Sequence, residues 1–161
     1  MVDVKHTEPV QSGFIAFDIV RIEMSNLPEF VSIAFLEDRA LIEKYHFQDS
    51  SMQELIQNNI KNIEELAKEK EVKCYGIFLE QTPIGFTVIS GKLLYSFGIN
   101  IHCREKSIKV AWLKWLKGKV FDNNFVVCLY RENTRAINFF LRNGLEEFSE
   151  DGKVVYLVYS K

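Results

Sequence analysis

Little in this chain encourages a disulfide, a metal or a membrane. Its three cysteines, Cys74, Cys103 and Cys128, are odd in number and have no CxxC spacing, which argues against a disulfide framework. The histidines are equally sparse. His6, His46 and His102 lie far from one another, and one adjacent pair, His102-Cys103, makes no ligand set, so no zinc-like site can be read and no metal is expected. No apolar run approaches the roughly 18 residues that a membrane helix needs. The opening MVDVKHTEPVQSG has no apolar core of the kind a secretory leader carries. The expected compartment is therefore the cytoplasm, without a membrane partner. A dominant charge is missing too: 20 basic and 22 acidic residues leave a net charge of −2, which argues against nucleic acid as a partner.

What is present is apolar and aromatic. With 161 residues, 47% of them hydrophobic and 13% aromatic, the chain has enough side-chain area for one core. Residues 1–12 are polar and are expected to form a flexible N-terminal segment, leaving 13–161 as a single domain.

The periodicity then alternates. Phe14 to Ile22 is rich in aromatic and β-branched residues and predicts a strand. Ser25 or Asn26 can cap a helix that tolerates Pro28 in its first turn. Met52, Leu55, Ile56, Ile60, Ile63 and Leu66 recur at three- and four-residue steps and predict a longer amphipathic helix. Three strands follow, VKCYGIFLE, IGFTVIS and LLYSFGINIH, separated by turns at Gln81-Thr82-Pro83 and Gly91-Lys92. Ile108, Ala111, Trp112, Trp115 and Leu116 trace one face of the next helix, and a strand spans Phe125 to Tyr130. The last helix starts at Asn133 or Thr134 and stops at Gly144, before a hairpin that turns at Asp151-Gly152. The order β-α-α-β-β-β-α-β-α-β-β predicts an α/β (α+β) fold with a mixed sheet covered by helices on both faces. Val154, Val155, Tyr156, Val158 and Tyr159 make the hairpin apolar enough to pair with a second copy, so a homodimer is expected.

That order resembles the GNAT superfamily of acyl-CoA N-acyltransferases over nearly the whole chain. The stretch ENTRAINFFLRNGL, Glu132 to Leu145, resembles the family's fourth-helix pattern through Asn133, Ala136, Phe139-Phe140 and Gly144-Leu145. Ile84-Gly85-Phe86 resembles the family's second hairpin. The resemblance implies an enzyme that moves an acetyl or other acyl group from acyl-CoA to a primary amine on a small molecule or peptide. It further implies that Ile99, Asn100 and Ile101 align the pantetheine arm by backbone bonds. Arg104 and the amides of Lys106, Ser107, Ile108 and Lys109 would take the pyrophosphate, and Asn133 and Phe140 would line the thioester arm. Residues 35–51 and the first two helices would select the acceptor.

Two departures from the family pattern carry chemical weight. The family places glycine at the third and fifth positions after the Arg or Gln that opens the phosphate turn; here Ser107 and Lys109 stand there after Arg104. Glycine lets a phosphate approach backbone amides at a helix start, where aligned peptide dipoles favour anions. Lys109 brings charge instead. Arg104, Lys106, Lys109, Lys114, Lys117 and Lys119 face Glu105 alone over that stretch, a local phosphate-attracting patch. The second departure is Phe140, which replaces a Tyr that in many members protonates the CoA thiolate, and phenylalanine has no transferable proton. The strand Leu93 to Ile101 has no Asp or Glu to serve as base. His102 and Tyr130 are substitutes by residue type only, so the catalytic residues stay unassigned. The alternative function is a GNAT-shaped binding or scaffold domain whose cofactor turn has drifted.

Overall fold

One twisted sheet organises the computed structural model, which describes residues 4–12, 15–35 and 52–160. The strands are β1 (Val4–Ser12), β2 (Ile15–Ile22), β3 (Lys73–Leu79), β4 (Thr82–Ser90), β5 (Leu93–Ile99), β6 (Asn124–Tyr130), β7 (Glu146–Asp151) and β8 (Val154–Ser160). The α-helices are α1 (Leu27–Phe35), α2 (Met52–Glu69), α3 (Lys106–Trp115) and α4 (Thr134–Arg142). The strand order in the sheet is β1-β2-β3-β4-β5-β6-β8-β7. Every neighbouring pair is antiparallel except β5–β6. Parallel neighbours need a long crossover, and α3 supplies it.

The hairpins are set by local backbone chemistry. Glu80 and Gln81 both take positive φ, 48° and 73°, the left-handed pair that matches strand twist in a two-residue turn. This puts the turn one residue earlier than the sequence predicts, and Thr82 and Pro83 begin β4. Gly91-Lys92 turns as predicted, whereas the last hairpin turns at Gly152-Lys153 instead of Asp151-Gly152. The strand predicted to begin at Leu93 is also too long. It ends at Ile99, and Ile101–Cys103 form a 3₁₀ turn.

Each face of the sheet buries its own core. Against α1 and α2 lie Ile22, Cys74, Phe86 and Val88, packed on Phe30, Val31, Ile56 and Ile63. The opposite face carries Phe17, Ile19, Ile77, Leu94, Phe125 and Val127 under Ile108, Trp112 and Trp115 of α3 and Phe140 of α4. A fully buried side chain such as Ile63 contributes about 1.5–3 kcal/mol. Gly85 has a steric reason: a Cβ there would stand 2.3 Å from the Gly98 carbonyl oxygen on β5.

Trp112 Nε1 donates to Thr87 Oγ1 at 2.9 Å inside the second core. Thr87 is fully buried, and removing its hydroxyl strands a buried indole N–H. Thr87→Val is expected to lose about 1–3 kcal/mol of stability, read as a lower urea midpoint at unchanged m. An unchanged midpoint would show that the bond contributes nothing.

Two expectations need correction. Val4–Ser12, expected to be flexible, forms β1 on the free edge of β2, in register from Thr7↔Val20 to Ser12↔Ile15. The gain is backbone pairing, which a side-chain pattern hides. The apolar strand Val154–Ser160 is not an edge: β6 and β7 flank it, and the true edge is the exposed, acid-rich β7. Glu146, Glu147, Glu150 and Asp151 on that edge disfavour strand pairing with a copy. No helix among the described residues is long and apolar enough to cross a membrane.

Candidate acyl-CoA site

The parallel pair β5–β6 comes apart. Its register consists of Leu93↔Val126 and Leu94↔Val127 and then stops, although β5 continues to Ile99 and β6 to Tyr130. The strands thus form a V, closed at Leu94–Val127 and open at their carboxyl ends. In open α/β sheets such carboxyl ends are where ligands are received. Asn100 N–H donates to Ile84 O at 2.7 Å, toward β4. Backbone groups alternate along a strand, so those of Phe97 and Ile99 face the V. Ile99 O already accepts from Arg104 Nε at 2.8 Å.

Asn100 is a structural tie. Its Nδ2 donates to Ile33 O at the end of α1, its Oδ1 accepts from His102 N, and its carbonyl accepts from Cys103 N. Ile101 belongs to the 3₁₀ turn. Of Ile99, Asn100 and Ile101, only Ile99 keeps a backbone N–H on the strand edge facing the gap.

Beyond that turn α3 begins at the open end. Its N-cap residue, Glu105, makes no side-chain cap bond. Glu105 O accepts from Ile108 N and Lys109 N, both at 3.1 Å. The amides of Lys106 and Ser107 are therefore the ones presented at the helix start, where the peptide dipoles favour an anion. Ser107 is exposed, and its Cβ lies outside the packed interior. Ile108 is wholly buried and serves the core.

Lys109 shows why the missing glycines matter less than the sequence implies. Its ammonium lies 5.4 Å from the Phe139 ring centroid, drawn to α4 by a cation–π contact. Its pKa is lowered, first by burial and then by the positive fields of Arg135, Arg104 and Arg142. Four cations therefore converge where α3 starts beside α4. Arg135 and Arg142 were not singled out in the sequence. Their seven-residue spacing, with Phe139 between them on the same helical face, is the signal that could have revealed them.

The fourth helix is built as the sequence predicts. Asn133 Oδ1 accepts from Ala136 N at 3.3 Å, and Gly144 takes φ 97° at the stop. Lys117 Nζ, in the helical turn Leu116–Val120 that follows α3, donates to Asn143 O at the end of α4. Phe140 is fully buried, with its ring centroid 5.7 Å from Phe97 and 6.2 Å from Trp112. It packs the floor beneath the V.

At the closed end β5 carries a bulge. Val88 pairs with Ser96 and Ile89 with Leu94, leaving Tyr95 as the extra residue. Leu94 packs in the α3–α4 core, while Tyr95 packs beside the α1–α2 core. Asn59 Nδ2 of α2 donates to Ser96 Oγ at 3.3 Å and steadies the bulge. Burial and then the neighbouring Tyr130 and Cys128 raise the Tyr95 pKa. The thiols are held toward the protonated form by the same physics: burial pushes Cys74 up to about 11 and raises Cys103 and Cys128. His102 is exposed on the turn at the open end, and Tyr130 is 55% exposed at the end of β6. Among the described residues no group of His, Cys, Asp and Glu could hold a metal ion. The segment expected to select the acceptor lies outside the described residues from position 36 to 51.

No family model and no curated protein matches the sequence. Solved structures do match. An acetyltransferase from Thermus thermophilus is similar over 94% of this chain and 98% of its own, with a TM-score of 0.70 and 13% identity. A PaiA N-acetyltransferase from Thermoplasma acidophilum, in complex with coenzyme A, is similar over 90% and 99%, with a TM-score of 0.56 and 20% identity. A Salmonella typhimurium acetyl transferase that modifies the N-terminal serine of ribosomal protein L7/L12 is similar over 96% and 99%, with a TM-score of 0.59 and 13% identity. With its mixed sheet, parted parallel strands and helix at the open end, this chain has the fold of the GNAT N-acyltransferases.

Proposed function

We propose that the chain transfers an acetyl or other acyl group from acyl-CoA to a primary amine. The observation that carries this reading is the V between β5 and β6, which opens onto the amides of Lys106 and Ser107 and the cations Arg104, Lys109, Arg135 and Arg142. A pyrophosphate there would meet charge-assisted bonds and a helix start together. The pantetheine arm would then run along the Phe97–Ile99 edge toward the closed end and leave the thioester beside Tyr95. Coenzyme A in the Thermoplasma acidophilum structure is consistent with this ligand class.

In the proposed reaction the amine nitrogen attacks the thioester carbon directly. A backbone N–H of the parted β5 edge stabilises the oxyanion, and holding both reactants in one cleft supplies much of the rate enhancement. Phe97, Trp112 and Phe140 beneath the cleft keep water from competing.

The test is CoA release from acetyl-CoA in the presence of polyamines, amino acids, aminoglycosides and N-terminal peptides. Release that depends on one amine class, with saturation in acetyl-CoA, is expected. A chain that raises its melting temperature with acetyl-CoA but turns over no amine would be the binding domain that the loss of the Tyr hydroxyl at Phe140 suggests. Absence of both responses would overturn the acyl-CoA reading.

A further inference from the structure

Phe140 cannot protonate a thiolate, and its ring is fully buried among Phe97 and Trp112. A hydroxyl does stand at the closed end. Tyr95 is the first β5 residue after the last position paired with β6, and the bulge turns it to the α1–α2 face. Cys128, the next β6 residue after that last pair, and Tyr130, two residues on along the same face of β6, lie near enough to act on Tyr95. Bulges commonly re-aim a side chain beside a reaction centre. Here the supporting groups are Leu94 in one core, Ser96 held by Asn59, and Cys128 bonded to Tyr156.

We propose that Tyr95 is the catalytic proton carrier: its phenol gives a proton to the departing CoA sulfur and takes one from the attacking amine. The inference rests on the acyl-transfer reading above. The nitrogen lone pair forms the C–N bond, and the C–S electron pair leaves on sulfur. The Tyr95 hydroxyl proton goes to that sulfur, and the proton lost by nitrogen restores the phenol. The products are an amide, CoA thiol and unchanged Tyr95. Burial and the neighbouring Tyr130 and Cys128 keep the phenol protonated at rest, as a donor requires. Tyr130 is less suited, being largely exposed at the open end.

Tyr95→Phe and Tyr130→Phe separate the possibilities. The probes are CoA itself, whose thiolate absorbs in the ultraviolet, and the panel amine that the wild-type chain acetylates fastest. A Tyr95 hydroxyl that donates to sulfur stabilises bound thiolate, so the thiol of bound CoA should titrate about one pH unit lower in the wild type than in Tyr95→Phe. The same variant should lose about 100-fold in kcat, while its affinity for CoA stays within about twofold and Tyr130→Phe keeps most turnover. Equal thiol titrations or undiminished kcat in Tyr95→Phe, with CoA still bound, would overturn the assignment and leave acyl transfer standing. A wild-type chain that binds no CoA would overturn both.

Discussion

Reversing two exposed charges, Arg135→Glu with Arg142→Glu, is expected to weaken acetyl-CoA binding by about 100-fold or more. Charge-assisted bonds to a phosphate are worth about 1.5–3 kcal/mol each, and about 1.4 kcal/mol is tenfold in affinity. Both side chains are exposed on α4, so the fold should survive the change. They flank Phe139, and their fields reach Lys109, as its lowered pKa records. Part of the loss should vanish at high salt, because exposed charges are screened within about 8 Å at physiological ionic strength. Isothermal titration of the double variant at low and high salt reads both effects. An affinity within about threefold of the wild type, roughly 0.7 kcal/mol, would move the phosphates elsewhere.

The second large effect is expected at Phe140. Phe140→Ala should cost about 3–5 kcal/mol, because its ring is fully buried against Phe97, Trp112 and Phe139 and the cavity cannot collapse freely. Phe140→Tyr is the informative variant. It restores the residue type common in the family, yet it places a hydroxyl among aromatic rings. If that hydroxyl lacks a partner, stability falls by about 1–3 kcal/mol and turnover does not rise. Chemical denaturation and acetyl-CoA turnover measure the two. A stable Tyr variant with faster turnover would put position 140 in the site and displace Tyr95.

The distribution of legible and illegible features has physical causes. Periodicity exposed α2, α3 and the strands because burial on one face writes itself into side-chain spacing. Asn133 and Gly144 were legible because caps and left-handed stops demand particular residue types. β1 was not, since its edge pairing is a property of the backbone. The bulge at Tyr95 was equally hidden: it is a register shift between β4 and β5 that no single residue marks. The turn expected to hold the phosphates lies at the start of α3, and its glycine pattern is a poor guide to the amides exposed there. Glycine at 107 and 109 matters if the amides of both residues must be reached, but Lys109 N–H is spent on Glu105 O, and the charge of its side chain joins Arg104, Arg135 and Arg142. That convergence brings together residues of α3 and α4, far apart in sequence.

A second cleft, of about 710 Å³, lies at the other end of the sheet and is lined by Lys70, Lys73, Lys119 and Tyr75 among others. It is basic as well, and so the place where CoA is expected to bind is decisive. The measurement is a crystal structure of the chain with CoA. The pyrophosphate is expected within hydrogen-bond distance of the Lys106 and Ser107 amides, the pantetheine arm between β5 and β6, and the sulfur beside Tyr95. Density for CoA in the lysine-lined cleft, with none between β5 and β6, would contradict the acyl-CoA site proposed at the V.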